Sequence, residues 1–313
     1  MTEDGLRRKP KYLAGTRIGV VREFMTTPSP NNVAITDEVN GEFKNVLRDR
    51  LGATLVESVD PEVPDDPSIP NMAYTFQDAF SEIMAINAPE YFFQTVGNSL
   101  EFAVPGYDVT SRDYMVKLAL LQAPLSEAMN LRRLISGTDN TARTPFLMDK
   151  YLIQRGDARV KDWASFVANA KFFADSLRSG SEDQATVNQQ DIRATSGIDR
   201  LKLVLISRLI VGKVMLQNNL DVLVIPNIQA PVERNEFARD PTVDGVRPNG
   251  PSITDLLGVP EMIVPAGYNQ VVYESQYALS ADKTSYLSVP RTVKSLMRIS
   301  DAHQHHVLGR SRR

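Results

Sequence analysis

The sequence predicts an α/β protein built on parallel strands, and three observations carry that expectation. Near the start, a buried-strand pattern, an amphipathic helix and a second buried strand follow one another within roughly 45 residues, the length of a βαβ unit. Near the end, helix and buried strand alternate again. Between the two lies a long, mostly helical stretch, which reads as an insertion into one α/β domain.

Taken in order, residues 1–12 are read as a flexible N-terminal segment. "GTRIGVVRE" reads as a strand, with Ile18, Val20 and Val21 set between a glycine turn and charges. After the Pro/Asn loop "TTPSPNN", Thr36 or Asp37 can cap a helix. Its apolar stripe is Val39, Phe43, Val46, Leu47 and Leu51, and Gly52 stops it. "ATLVESV" is the second strand, and a strand–helix–strand unit of this size implies a parallel pair with a right-handed crossover.

From Asp60 the texture changes to a proline- and acid-rich loop, "DPEVPDDPSIP". Residues 72–178 read as mostly helical. The clearest helix there, 158–178, places Val160, Trp163, Val167, Ala170, Phe173 and Leu177 on one face, a stripe read as core. "SLRSGSEDQATVNQQ" reads as an exposed connector. A helix from about 198 to 219 is expected to bury Leu201, Val204, Leu205, Leu209 and Leu216, and Asn218-Asn219 end it. "LDVLVIP" is a third strand. In "NGPSITDLLGVPEMIVPAGYNQ", Pro260 and Pro265 bracket only four residues, so the chain between them is read as a buried, fully extended strand. The polar, basic end, 291–313, lacks sustained apolar periodicity and is expected to be a disordered tail.

Composition narrows the function. The 313 residues are 42% hydrophobic and 23% charged, ordinary for a globular chain with a sizeable core. A net charge of -3 argues against a nucleic-acid or membrane-surface binder. The most apolar run, Leu201 to Leu216, is interrupted by Lys202, Arg208 and Lys213 and is not expected to span a bilayer. There is no cysteine, which removes disulfides, thiolate metal sites and cysteine nucleophiles together. No Asn-X-Ser/Thr sequon occurs and "MTEDGLRRKPKY" has no apolar core, so a cytoplasmic location is expected.

Chemistry is harder to find. The three histidines, His303, His305 and His306, all lie close to the end, and no Gly-X-Ser-X-Gly elbow is present to meet them. "HQHH" has no carboxylate or thiolate at ligand spacing, so no metal is expected. No Gly-rich phosphate loop occurs, so no cofactor is expected. The acidic pairs Asp65-Asp66 and Glu182-Asp183 fall in polar loops and read as solvated.

Four segments taken together resemble the amidase signature family: "LAGTRIGVVREFM" (13–25), "LGATLVESV" (51–59), "LDVLVIPNIQAPVE" (220–233) and "NGPSITDLLGVPEMIVPAGYN" (249–269). The resemblance runs over about 13–290 and implies one domain with a mixed, mainly parallel central sheet flanked by helices. The helical insertion would occupy about 72–197. It further implies descent from enzymes that hydrolyse carboxamide C–N bonds with a serine nucleophile, a second serine in a cis peptide and a lysine relay. Only twelve residues precede the matching region, and the chain contains no Gly-Gly pair. No catalytic residue is therefore carried over, and the chain is expected to be an incomplete hydrolase. The resemblance places Pro226, Asn227 and Asn249 at the substrate, although proline ends strands and asparagine forms turns in any protein. The partners it implies are a small amide ligand, and a second copy or a partner chain bound along an uncovered sheet edge.

Overall fold

The computed structural model describes residues 11–25, 29–60, 63–96, 98–131, 144–169, 193–227, 229–230, 257–268, 271–279, 281, 286–296 and 302–309. Its centre is a five-stranded sheet. The strands are β1 (Arg17–Val20), β2 (Thr54–Glu57), β5 (Val222–Pro226), β6 (Glu261–Tyr268) and β9 (Ala302–Gly309), in the order β2-β1-β5-β9-β6. β1 pairs in parallel with β2 and with β5, aligning Ile18 with Leu55 and Val222. β9 runs antiparallel to both β5 and β6, so β6 shares the direction of β5 and four of the five strands point the same way. Two hairpins lie apart from this sheet: β3 (Thr95–Val96) with β4 (Ser99–Leu100), and β7 (Val271–Leu279) with β8 (Tyr286–Leu296).

Side-chain alternation along the parallel strands separates the core into two layers. Ile18, Val20, Leu55 and Val224 pack with Ile35, Val39 and Phe43 from α1 (Pro30–Glu42) and its continuation. Val21, Val56, Leu223 and Ile225 pack with α2 (Phe76–Asn87), α3 (Arg112–Ala119) and the long helix α6 (Arg193–Gln217). Helices therefore cover both faces, which explains why the strands read as nearly unbroken apolar runs. Between β2 and β5 the described chain also holds α4 (Thr144–Arg155) and α5 (Trp163–Asn169).

Local chemistry explains the boundaries. α1 starts earlier than expected: Ser29, not Thr36 or Asp37, is its cap, accepting from the Asn32 N–H, and Pro30 fills the first helical position. The helix then continues through Phe43–Arg50 in wider π-type turns and ends at Gly52, φ +87. Thr75 and Asp78 form a reciprocal capping box on α2. Asn219, φ +52, closes α6 in the left-handed conformation that asparagine tolerates.

Four further sequence expectations change. The stripe expected to be core on the 158–178 helix is only partly buried at Val160, Trp163 and Val167, because α5 is short and, among the described residues, packs mainly on α4; residues from 170 lie outside the described set. On α6, Leu201, Leu205, Leu209 and Leu216 are exposed, and the buried face is Leu203, Ile206, Ile210, Val211 and Val214. β6 is an edge strand and not a buried one: Met262 is 60% and Ile263 46% exposed. It also continues past Pro265, where the register shifts, as expected of a residue that lacks a ladder N–H. The expected disordered tail from 291 instead carries the last six residues of β8 and all of β9. β9 is strand-like because β5 and β6 flank it on both sides; its own polar sequence gives no such signal.

Candidate functional site

In open α/β sheets the carboxyl ends of the strands are where polar side chains converge. Here the ends of β1, β2 and β5 meet the first turn of α1 in a buried polar shelf. β1 runs into a 3-10 turn, Arg22–Phe24, whose Arg22 and Glu23 are 1% and 0% exposed. The register of β1 and β2 brings Glu57, fully buried, alongside. Arg22 Nε donates to Glu57 Oε2 at 2.7 Å, and Nη2 forms an ion pair with the same oxygen. Nη1 donates to Asn40 Oδ1 of α1 at 2.7 Å and lies 3.0 Å from Met25 Sδ. Glu57 Oε1 accepts from the Asp66 N–H at 2.6 Å. Burial pushes the Glu57 carboxyl above its usual range, although the Arg22 guanidinium pulls the other way.

Next to this pair, Ser58 Oγ accepts from the Arg22 N–H at 2.8 Å and donates to Glu23. The hydroxyl is hydrogen-bonded on both sides and out of contact with solvent, so it organises the turn and cannot meet a substrate carbonyl. Beyond β5, Gln229 bridges the layers: its Nε2 donates to the Phe24 carbonyl, and its Oε1 accepts from Thr36 Oγ1 at 3.2 Å. Its backbone carbonyl accepts from Asn32 Nδ2 at 2.7 Å. Asn31 ties in the β7–β8 hairpin: its Nδ2 donates to the Tyr273 carbonyl and its Oδ1 accepts from the Tyr273 N–H, both at 2.8 Å. A carboxamide placed this way substitutes for one rung of a β-ladder.

Of the residues expected at the substrate, Pro226 is the buried last residue of β5, paired in register with His305 of β9. Asn227 follows it in the chain and is partly exposed. Asn249 lies outside the described residues. The Gly258-Val259-Pro260 turn leads into β6. Gly258 has φ +56, the left-handed conformation that favours glycine; a Cβ there would sit 2.8 Å from Arg208 Nη2, the mobile end of a long side chain that can shift aside. Arg208 in turn donates to the Leu257 carbonyl from α6.

Sequence reasoning missed Arg22, Glu57, Asn31 and Gln229. Arg22 and Glu23 read only as the charges that close a strand, and Asn31 as loop. The usable signals were a charged pair directly after a continuous apolar strand, and Ser-Pro as cap and first helical residue. The loop pair behaves differently. Asp66 is bound by Lys44 and Ser68, and although burial raises it, these donors hold its carboxyl down at about 2.

Away from the shelf, an open cleft of about 580 Å³ lies between α2 and α3 and is lined by Ile86, Phe93, Met115 and Val116, with Thr110 and Arg112 as its polar groups. Among the described residues no group of three or more histidines, aspartates or glutamates is arranged to hold a metal ion. No described helix is long and apolar enough to cross a membrane.

No family model matches the chain, and no curated protein matches it. Among solved structures, it is similar to one of the subunits of the glutamyl-tRNA(Gln) amidotransferase from Thermotoga maritima, with 12% identity and a TM-score of 0.34. The similarity covers 96% of this chain and 40% of the Thermotoga protein, so the chain spans less than half of that protein's length.

Proposed function

We propose that this chain is the scaffold portion of an amidase-like hydrolase. It supplies one wall of an amide-binding site, and the serine nucleophile and lysine relay come from polypeptide outside residues 13–290. The observation that carries the reading is the polar shelf at the carboxyl ends of β1, β2 and β5. It is rigid, desolvated and rich in carboxamides, and its two described serines are both committed to structure. Ser58 is locked between Glu23 and a backbone N–H, and Ser29 caps α1. Such a shelf holds the strand ends and the residues beyond them in place and does not itself react with a substrate. Pro226 and Asn227 form the rim in this reading, with Asn249 contributed from the segment after it. Edge strand β6, with Met262 and Ile263 exposed, is where the complementing polypeptide adds to the sheet.

The test is ammonia or amine release from a panel of aryl and aliphatic amides by the pure, folded chain. Turnover is expected to stay at the buffer rate alone and to appear only on adding a polypeptide that carries the serine–lysine segment. Turnover by the chain alone, abolished by changing one serine or lysine, overturns the proposal. A second reading, a non-catalytic binder of small amides, draws on the partial exposure of Asn227. It expects a rise in Tm with an amide ligand that is lost in Asn227→Ala, in the absence of any partner.

A further inference from the structure

The exposed face of α6 carries four leucines, Leu201, Leu205, Leu209 and Leu216, at 67%, 57%, 46% and 53% exposure. At about 100° per residue they fall within about 80° of the helix circumference, a straight strip on the order of 22 Å long. An apolar strip of this extent approaches the few hundred Å² at which patches on monomers mark interaction sites. Gly212 lies inside the strip, and a Cβ built there meets nothing within 4 Å, so the strip has one open notch among its leucines. The cations beside it are occupied. Lys202 pairs with Glu90 and Lys213 with Glu82, both on the α2 side, and Arg208 is drawn to the Leu257 carbonyl. Lys202 and Lys213 therefore meet an identical face as neutralised pairs, while Arg208, held by a neutral carbonyl, keeps its charge.

The spacing is self-complementary in one orientation. When a second copy of α6 lies antiparallel with its centre at residues 208 and 209, Leu201 faces Leu216 of the other copy at both ends. Leu205 then faces the Gly212 notch, twice by symmetry. Large side chains meeting small ones across a two-fold axis make a closed, isologous contact.

We propose that the chain forms an antiparallel homodimer through the outer face of α6, with Leu205 of each copy seated at Gly212 of the other. A single helix face is smaller than the ~800 Å² per partner of a standard interface, so the dimer is expected to be a weak, reversible one. The inference does not depend on the proposed function, which uses the β6 edge.

Sedimentation velocity of the full chain across the micromolar range, joined to cross-linking, tests it. The chain has no cysteine, so a single introduced thiol reports on itself alone. With a short thiol cross-linker, Leu209→Cys is expected to give covalent dimers, and Leu201→Cys none on its own, since its copies would lie about 22 Å apart. A mixture of Leu201→Cys and Leu216→Cys chains is expected to cross-link. Gly212→Leu fills the notch without touching the monomer's own packing and should shift the chain to monomer with unchanged or higher Tm. Leu205→Glu should do the same at an exposed site. Monomer at every concentration, self-cross-linking of Leu201→Cys, or a dimer indifferent to both Gly212→Leu and Leu205→Glu each overturns the proposal.

Discussion

Replacing Arg22 by methionine tests the buried pair more sharply than any loss-of-contact argument. Arg22 and Glu57 are both essentially inaccessible, and Arg22 supplies two of the donors that face the carboxylate; the third is the Asp66 N–H. Arg22→Met keeps most of the volume and leaves Glu57 buried with one backbone donor. Breaking a buried pair in this way costs about 3–5 kcal/mol at neutral pH, because the orphaned charge remains. Burial already raises the Glu57 carboxyl, and without the guanidinium it rises further. A carboxyl with a raised folded pKa contributes its stability in full below its unfolded value, and loses it as pH climbs through the folded value. The penalty of Arg22→Met should therefore shrink on acidification from pH 7.5 to pH 5, by up to about 1.4 kcal/mol per pH unit inside that window. Urea unfolding of wild type and variant at the two pH values, followed by circular dichroism, measures the difference directly, since titrations common to both chains cancel. Arg22→Met/Glu57→Gln removes the charge and should restore much of the loss with a flat pH response. An equal penalty at both pH values, unrelieved by the second change, would refute the account.

Other expectations follow from the same packing. Gly19→Ala would place a Cβ 2.7 Å from Leu220 Cδ1 and Leu223 Cδ2 and 2.8 Å from Met72 Cε, so overpacking should cost about 1–3 kcal/mol in denaturant unfolding. Thr75→Ala removes the α2 capping box and should cost about 1 kcal/mol, read as a lower urea midpoint with unchanged slope. Asp66, held at about 2, stabilises the fold above its ordinary pKa, and that contribution is lost as pH falls from about 4 to about 2. Partial exposure and solvent screening reduce it to about 1 kcal/mol, and Lys44→Met should remove most of the pH dependence in acid titrations followed by fluorescence.

The strands β1, β2 and β5 were legible because a parallel strand covered on both faces must be apolar without interruption, and Ile18–Val21, Leu55–Val56 and Leu223–Ile225 are. α6 was legible as a helix but not by face. Leucines at 201, 205 and 209 and the set Leu203, Ile206, Ile210 and Val214 both recur at helical spacing, and periodicity alone does not say which set has a neighbour. The site divides in the same way. Pro226 and Asn227 announce a strand end locally. Glu57 joins Arg22 only through strand register, which no single segment contains. β9 was the least legible, because "AHQHHVLG" becomes a strand through its neighbours and not through its own composition.

The position of β9 has a consequence for how the chain is made. Its strand lies between β5 and β6, yet it is translated last of the five. At about 5–20 residues per second, roughly 75 residues of synthesis separate β5 from β9, an interval of about 4–15 s. Through that interval β5 presents an open edge and β6 has no neighbour in the sheet. The two strands run in the same direction, and pairing them directly would shut β9 out of its slot. Yield of the correctly ordered sheet should therefore depend on elongation rate and on chaperones that shield the β5 edge while the last strand is still inside the ribosome.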